Sequence, residues 1–176
     1  MKKKFEKIAV FDLDGTLWPV NSHYECLNLY YHTRFWTSFI YKVIAKLFSS
    51  FACVCRNYYF SKIPVEFINS MNLSFSEYYV SLLNIKKQEG FHVIIVSNAP
   101  HPLIVKNAAQ RLKCEWICSP EGKKLEYLKD RYEYQILYVC TDNKSDFDLL
   151  SVANEYHIVK NRANALFFKK KGFHFE

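Results

Sequence analysis

Short apolar runs that alternate with helical patterns limit most strongly what this sequence can fold into. The runs lie at residues 8–11, 92–96, 115–118, 135–140 and, more weakly, 156–159. Runs of this length are typical of strands that are buried on both faces of a parallel sheet. Their alternation with helical segments predicts an α/β fold with a Rossmann-like, doubly wound parallel sheet.

The segment between the first two runs is too long for an ordinary connection and has helical periodicity of its own. We therefore expect a helical cap subdomain at residues 18–83, inserted after the first strand. Pro64 and the polar residues 69–76 indicate where the chain returns to the core. The Rossmann-like core then comprises residues 1–17 and 84–176.

Within this cap, apolar residues recur every three or four positions, at Trp36, Phe39, Ile40, Val43, Ile44, Leu47, Phe48 and Phe51. The pattern favours a helix face that packs against other cap helices or a partner subunit. The alternative is that the stripe shields an active site and selects a substrate with an apolar portion, such as a lipid-linked phosphate. We expect no transmembrane segment, because Lys42 and Lys46 interrupt the stripe.

The formal charge of +7 is compatible with nucleic acid, an anionic membrane surface or an anionic small substrate. Much of the excess lies in lysines at residues 2–4 and 169–171, which are typical of solvated termini. We expect no nucleic-acid partner, because no recognisable binding module is present. The six cysteines form no CxxC pair, and no signal-peptide pattern follows the first lysines, so we expect a cytoplasmic protein without a zinc site.

Two carboxylates follow the first apolar run, at Asp12 and Asp14, and Gly15 comes directly after them. Neighbouring anions repel each other unless a cation joins them, and oxygen ligands favour a hard ion such as Mg²⁺. Gly15 allows a sharp turn and a close approach of the backbone to a ligand. Taken alone, this pair could equally cap a loop.

Other predicted strand ends carry complementary groups. Ser97 ends the second run, and Asp142 and Asp146 follow the fourth. A lysine, Lys123 or Lys124, falls in the first turn of a helix that Ser119 is expected to cap, with Pro120 as its first residue. We favour Lys124, because it shares a helix face with apolar residues that should point to the core.

These motifs resemble the haloacid dehalogenase superfamily of phosphohydrolases, and specifically its phosphoserine-phosphatase-like branch with a helical cap. Residues 11–17, Phe-Asp-Leu-Asp-Gly-Thr-Leu, match the opening signature, and residues 96–98, the lysine pair and residues 141–150 resemble the three later motifs in order. Thr141 stands where glycine is common. The resemblance covers residues 5–18 and 85–173, and the cap carries no matching signature.

The resemblance implies a magnesium-dependent phosphoric monoester hydrolase, with a phosphorylated small molecule as substrate and an aspartyl-phosphate intermediate. Asp12 would be the nucleophile and Asp14 the general acid and base. Asp146 would orient the lysine or a metal-bound water. The phosphate-binding residues would be Ser97, Asn98, Lys123 and Lys124, and the metal ligands Asp12, the main-chain carbonyl of Asp14, and Asp142.

Other functions remain to be weighed against hydrolysis. A phosphotransferase or mutase could use the same core, and a catalytically silent regulatory module could keep the metal and phosphate site for binding alone. A dinucleotide-binding oxidoreductase is excluded, because the four glycines are not clustered into a GxGxxG motif. The sequence leaves the substrate and the oligomeric state open.

Overall fold

The computed structural model describes residues 2–175. The strands are β1 Lys3–Lys4, β2 Lys7–Phe11, β3 His92–Ser97, β4 Glu115–Cys118, β5 Tyr132–Glu133, β6 Ile136–Thr141 and β7 Glu155–Ile158. The α-helices are α1 Ser22–Tyr30, α2 Phe39–Leu47, α3 Ser49–Phe60, α4 Val65–Ser70, α5 Glu77–Gln88, α6 Pro102–Leu112, α7 Lys124–Arg131, α8 Phe147–Leu150 and α9 Ala165–Lys170. Short 3-10 turns form at Phe35–Thr37 and Lys144–Asp146.

The main sheet has the strand order β4-β3-β2-β6-β7, and all four pairings are parallel. After β2 the chain builds outward through β3 and β4, then crosses to the other side of β2 to form β6 and β7. The reversal creates a topological switch point at the carboxyl ends of β2, β3 and β6, where ligands bind in open α/β sheets. The predicted Rossmann-like α/β fold is confirmed. A short parallel pair, β1 with β5, was not predicted.

The apolar runs form the sheet because their side chains are buried between the flanking helices. The buried cluster includes residues from six strands and three helices, such as Ile8 and Val10 of β2, Ile94 of β3, Val139 of β6 and Leu128 of α7. Burial on both faces explains why these strands are continuously apolar and do not alternate with polar residues.

The chain divides into two compact units, which we call the core unit, up to Pro19 and from Ser74 onward, and the inserted unit, Val20–Leu73. The inserted unit is shorter than the expected cap at residues 18–83. Residues 74–83 lie with the core because the Ser76 amide donates to the Leu17 carbonyl at 2.8 Å. Phe75 also stacks on Trp18 with 5.8 Å between ring centroids, and α5 packs against β3.

The inserted unit contains α1 to α4, and its interior is formed by Leu27, Trp36, Tyr41, Ala52 and Phe60, among others. The apolar stripe is not one continuous helix. Ser38 caps α2 by accepting from the Tyr41 amide at 3.1 Å, and the chain turns again at Phe48 before α3.

Much of the stripe lies outside this interior. Trp36 is buried, as the packing interpretation expects, but Phe39, Ile40, Leu47, Phe48 and Phe51 are between 62% and 80% exposed. Packing within the unit therefore accounts for Trp36 and not for the stripe as a whole. Over residues 2–175, none of the helices has the length and apolar character needed to cross a bilayer.

Candidate active site

The carboxyl end of β2 brings Asp12 to the switch point of the sheet. Phe11 pairs with Ile95 of β3 and with Cys140 of β6, and the Asp12 amide donates to the Cys140 carbonyl at 2.9 Å. This register sets Asp12 between the ends of β3 and β6, from which Ser97 and Asp142 emerge. Asp12 itself is 4% exposed.

Lys124 connects three segments of the site. Its side chain is fully buried, and Nζ donates at 2.7 Å both to Oδ1 of Asp12 and to Oδ2 of Asp146. Asp146 also accepts from the Thr141 hydroxyl at 2.7 Å. A buried charge is costly unless it is paired and hydrogen-bonded, and each of these three groups meets that condition.

The structure brings Lys124, and not Lys123, into the site. Lys123 is exposed and forms an ion pair with Glu126 at 3.1 Å. The expectation that Ser119 caps the lysine helix is wrong, because α7 begins at Lys124 itself. Gly122, at φ +70°, turns the chain just before the helix, so the Ser-Pro pair lies in the preceding loop.

Asp148 was missed by the sequence analysis. Its Oδ2 accepts from the Leu125 amide at 3.0 Å, at the start of α7. A carboxylate at a helix N-terminus offsets the unfavourable position of Lys124 next to the positive end of the helix dipole. The acid at position 148 lies within the fourth motif, but its contact with residue 125 is visible only in the folded chain.

The loop after Asp12 lies directly against Asp142. Gly15 adopts φ +77°, and a Cβ atom there would overlap the Asp142 carboxylate. The Asp142 amide donates to the Thr16 hydroxyl at 3.1 Å. Asp14, in the same loop, is half-buried and forms a bridge pairing with Trp18. Gly15 is therefore required both by its backbone angle and by the space that Asp142 fills.

Two asparagines that follow β7 hold Asp142 in place, and sequence reasoning missed both. Asn161 donates to Asp142 Oδ2 at 3.1 Å, and the buried Asn164 donates to the Asp142 carbonyl at 2.6 Å. The Asn164 side-chain oxygen also accepts a hydrogen bond from the Asn161 backbone amide at 2.9 Å. The sequence offered one signal for this role, namely two asparagines spaced three residues apart after the last apolar run.

Ser97 and Asn98 follow β3 but face different groups. The buried Ser97 hydroxyl oxygen accepts from the Ala99 amide at 3.2 Å, which leaves its hydrogen available for donation. The Asn98 side-chain nitrogen instead donates to the Ser119 and Pro120 carbonyls at 2.9 and 2.8 Å. Asn98 thus holds the loop before Lys124 through its side-chain nitrogen, and its expected phosphate contact stays a prediction.

The site carries an excess of negative charge. Burial raises the pKa of Asp12, with Asp146 and Asp142 acting in the same direction and Lys124 opposing them. Burial also raises the pKa of Asp142 to about 6, which Lys124 again opposes. Burial lowers the pKa of Lys124, but Asp12 and Asp146 outweigh it, and the net shift is upward. The Lys124 ammonium therefore stays charged, whereas burial disfavours the charged forms of Asp12 and Asp142.

The donor set fits a hard divalent cation. Two carboxylates, Asp12 and Asp142, and the backbone of the Asp14–Gly15 loop approach one another, and all their donors are oxygen atoms. In residues 2–175 no three His, Cys, Asp or Glu side chains converge so as to hold a metal by themselves. A site of two carboxylates, one carbonyl and waters is typical of Mg²⁺ and not of zinc or calcium.

Comparison with known proteins supports the fold. No protein-family model matches the sequence, and no curated protein sequence matches it at a significant level. Several solved structures do match it in fold.

A protein of unknown function from Bordetella pertussis Tohama I aligns with a TM-score of 0.61 and 12% identity, over 99% of this chain and 98% of that one. A phosphoserine phosphohydrolase-like protein from Francisella tularensis gives 0.62 and 13%, over 86% of each chain. A phosphoserine phosphatase, solved as a phospho-aspartyl intermediate analogue, gives 0.59 and 15%, over 89% of this chain and 87% of that one.

The matches to phosphoserine phosphatases extend over most of both chains at low identity. The resemblance found in the sequence motifs therefore holds at the level of the fold. The chain has the Rossmann-like α/β fold of these phosphoserine phosphatase-like structures.

Proposed function

We propose that this protein is a magnesium-dependent phosphatase that hydrolyses a phosphate monoester through a phosphorylated Asp12. The observation that carries the proposal is the fully buried Lys124 shared by Asp12 and Asp146 at the switch point of the sheet. Such a buried ammonium next to a carboxylate prepares a site for a phosphoryl group, whose charge would otherwise be repelled by Asp12. The phospho-aspartyl analogue of a phosphoserine phosphatase with the same fold supports this chemistry.

In the first step, an Asp12 carboxylate oxygen attacks phosphorus, and the bond from phosphorus to the ester oxygen breaks. Asp14, half-buried in the adjoining loop, gives its proton to the departing oxygen. The Ser97 hydroxyl and the Lys124 ammonium donate hydrogen bonds to the phosphoryl oxygens.

In the second step, Asp14 takes a proton from a water molecule, which attacks the phosphorus of the aspartyl phosphate. The bond from phosphorus to Asp12 breaks, releasing inorganic phosphate and restoring the carboxylate. Asp146 keeps Lys124 aimed at Asp12 throughout.

Asp12, the Asp14 carbonyl and Asp142 would hold the magnesium ion, which when bound neutralises negative charge on the phosphoryl group and on the carboxylates. Asn161 and Asn164 keep Asp142 in position for this role. Lys123 has no part in it, because its ammonium pairs with Glu126 at the surface.

Turnover of an aryl phosphate by the purified protein, with and without a chelator, tests the proposal. Asp12→Asn should abolish turnover while the circular dichroism spectrum stays unchanged, since the amide has nearly the same shape but cannot be the nucleophile. Asp130→Asn, on the exposed side of α7, is the matched control and should retain full activity.

Three results would overturn this proposal. Retained activity in Asp12→Asn would refute the aspartyl-phosphate route. Magnesium binding by the wild-type chain without turnover of any member of a phosphate-ester panel would favour the silent binding module. Transfer of the phosphoryl group to an added alcohol in place of water would identify a phosphotransferase.

A further inference from the structure

The inserted unit exposes a band of large apolar side chains on α2 and α3. Phe39 is 80% exposed, Leu47 67% and Phe51 66%. Phe39, Val43 and Leu47 are spaced four residues apart along α2, so they share one face of that helix. The exposed members of this apolar band are Phe39, Ile40, Val43, Leu47, Phe48, Phe51, Val54 and Tyr58.

The inserted unit does not need this band for its own packing. The opposite faces of α2 and α3 already meet each other, because Tyr41 and Ala52 are buried and the Tyr41 hydroxyl donates to the Ala52 carbonyl at 3.5 Å. Trp36 is also buried and packs its ring against Tyr41, with 5.1 Å between the centroids. Several large apolar side chains that stay exposed on two adjoining helices are typical of an interaction site.

The charge around the band indicates what covers it. Lys42 and Lys46 are exposed on α2, on the turns that also carry Phe39, Val43 and Leu47. Between Glu25 and Glu66 the sequence contains no acidic residue, whereas it contains the five basic residues Arg34, Lys42, Lys46, Arg56 and Lys62. The partner of this surface should therefore combine an apolar layer with negative charge at its rim.

We propose that the apolar band and its two lysines dock on the surface of an anionic lipid bilayer. Aromatic and aliphatic side chains of an amphipathic helix insert at the boundary between headgroups and acyl chains, while lysines on its edge meet anionic headgroups. A second copy of the chain fits less well, because pairing two such bands would bring two basic rims together.

This docking does not depend on the proposed phosphatase chemistry, since the residues of the apolar band lie in the inserted unit and those of the active site in the core unit. Either proposal can therefore fail while the other stands. The nine residues of α2 are too few to span a bilayer, so docking would be confined to one surface.

Co-sedimentation of the full chain with vesicles tests the docking directly. We expect binding to vesicles of phosphatidylcholine with phosphatidylglycerol, weaker binding to phosphatidylcholine alone, and loss of binding at high salt. The double variant Lys42→Glu, Lys46→Glu should weaken binding to the anionic vesicles by about tenfold or more. The double variant Phe39→Ser, Leu47→Ser should weaken it by a similar factor, of about tenfold, because it removes the inserted apolar groups.

Matched controls separate this surface from the rest of the chain. Lys169→Glu with Lys170→Glu makes the same charge change on exposed residues of α9, and Leu166→Ser with Val152→Ser removes exposed apolar groups from the core unit. Both control variants should bind vesicles as the wild type does. Equal losses in the controls would overturn the proposal, as would equal binding to neutral vesicles or no binding at all.

A last measurement addresses self-association. The molecular mass in solution, measured by light scattering, should be that of a monomer for the wild type and for Phe39→Ser with Leu47→Ser. A wild-type dimer that this variant dissociates would show that a second copy covers the band, and would overturn the proposal.

Discussion

The core unit and the inserted unit depart from the usual arrangement of side chains in opposite directions. The core unit buries charged groups, as at Asp12, Lys124 and Asp146, whereas the inserted unit exposes apolar ones, as at Phe39 and Leu47. A buried charge is unfavourable unless it is paired, and an exposed apolar surface is unfavourable unless something covers it. Each unit therefore carries its candidate function at the residues where it departs from ordinary packing.

The largest effect should come from the buried cation. Lys124→Ala leaves Asp12 and Asp146 without their counter-ion, so we expect turnover to fall by about 10³-fold. The free energy of unfolding should fall by about 3–5 kcal/mol. Lys123→Ala, one residue earlier but exposed, should change stability by less than about 0.5 kcal/mol and leave kcat/KM unchanged. Steady-state kinetics and urea denaturation of both variants measure this, and similar losses in the two would show that burial of Lys124 has no special effect.

A smaller effect is expected at the glycine that contacts Asp142. Gly15→Ala adds a methyl group that overlaps the Asp142 carboxylate, so kcat/KM should fall by about 10²-fold and Mg²⁺ should bind more weakly. Gly172→Ala imposes a similar backbone cost at φ +82° but meets open space. It should cost about 1–2 kcal/mol of stability and no activity. Isothermal titration with Mg²⁺ distinguishes the two, and unchanged binding in Gly15→Ala would contradict the close approach.

The next effect concerns a residue that acts through Asp142. Asn161→Ala removes the hydrogen bond to Asp142 Oδ2 and should weaken Mg²⁺ binding by about tenfold, in the range found for groups that orient metal ligands. Asn154→Ala is the control, because Asn154 accepts from the Leu137 amide at the other end of β6. It should lower stability without altering the Mg²⁺ dissociation constant. If Mg²⁺ binding falls equally in both variants, Asn161 acts through general stability.

The smallest effect is expected in the inserted unit. Leu47→Ser changes a residue that is 67% exposed, so the free energy of unfolding and the turnover of a small aryl phosphate should both stay close to wild type. Leu27→Ala, at a fully buried position of α1, should cost about 2–5 kcal/mol. Thermal denaturation of the pair measures the contrast. A large loss in Leu47→Ser would mean that the apolar band stabilises the fold.

The sequence allowed the sheet and the ends of its strands to be predicted, because burial on both faces imposes continuous apolar runs. Asp12, Ser97 and Asp142 follow directly from those runs, since a polar residue after a buried strand must emerge at the sheet edge. The choice of Lys124 over Lys123 could also be predicted, because Lys124 shares a helix face with apolar residues. In each case local periodicity and the chain direction set where the residue lies on its strand or helix.

Contacts between distant segments could not be predicted in this way. Asn161 and Asn164 reach Asp142 only because β7 lies beside β6, and Asp148 reaches Leu125 only because two loops meet. The start of α7 was predicted too early, at the Ser119-Pro120 pair. The chain turns at Gly122, which has a positive φ, and the helix begins only at Lys124. In the inserted unit, periodicity identified an apolar face but carried no information on whether another element would cover it.

The bond between Lys124 and Asp12 joins residues that are 112 positions apart in the chain. Contacts of such long range form late in folding, after the closure entropy of the intervening chain has been overcome. During refolding, catalytic competence should therefore appear together with the slowest phase of native structure formation and not with early helix formation. In partly folded forms of this protein, Asp12 would lack the paired ammonium of Lys124. Such forms should therefore show no phosphatase turnover until the native contacts are complete.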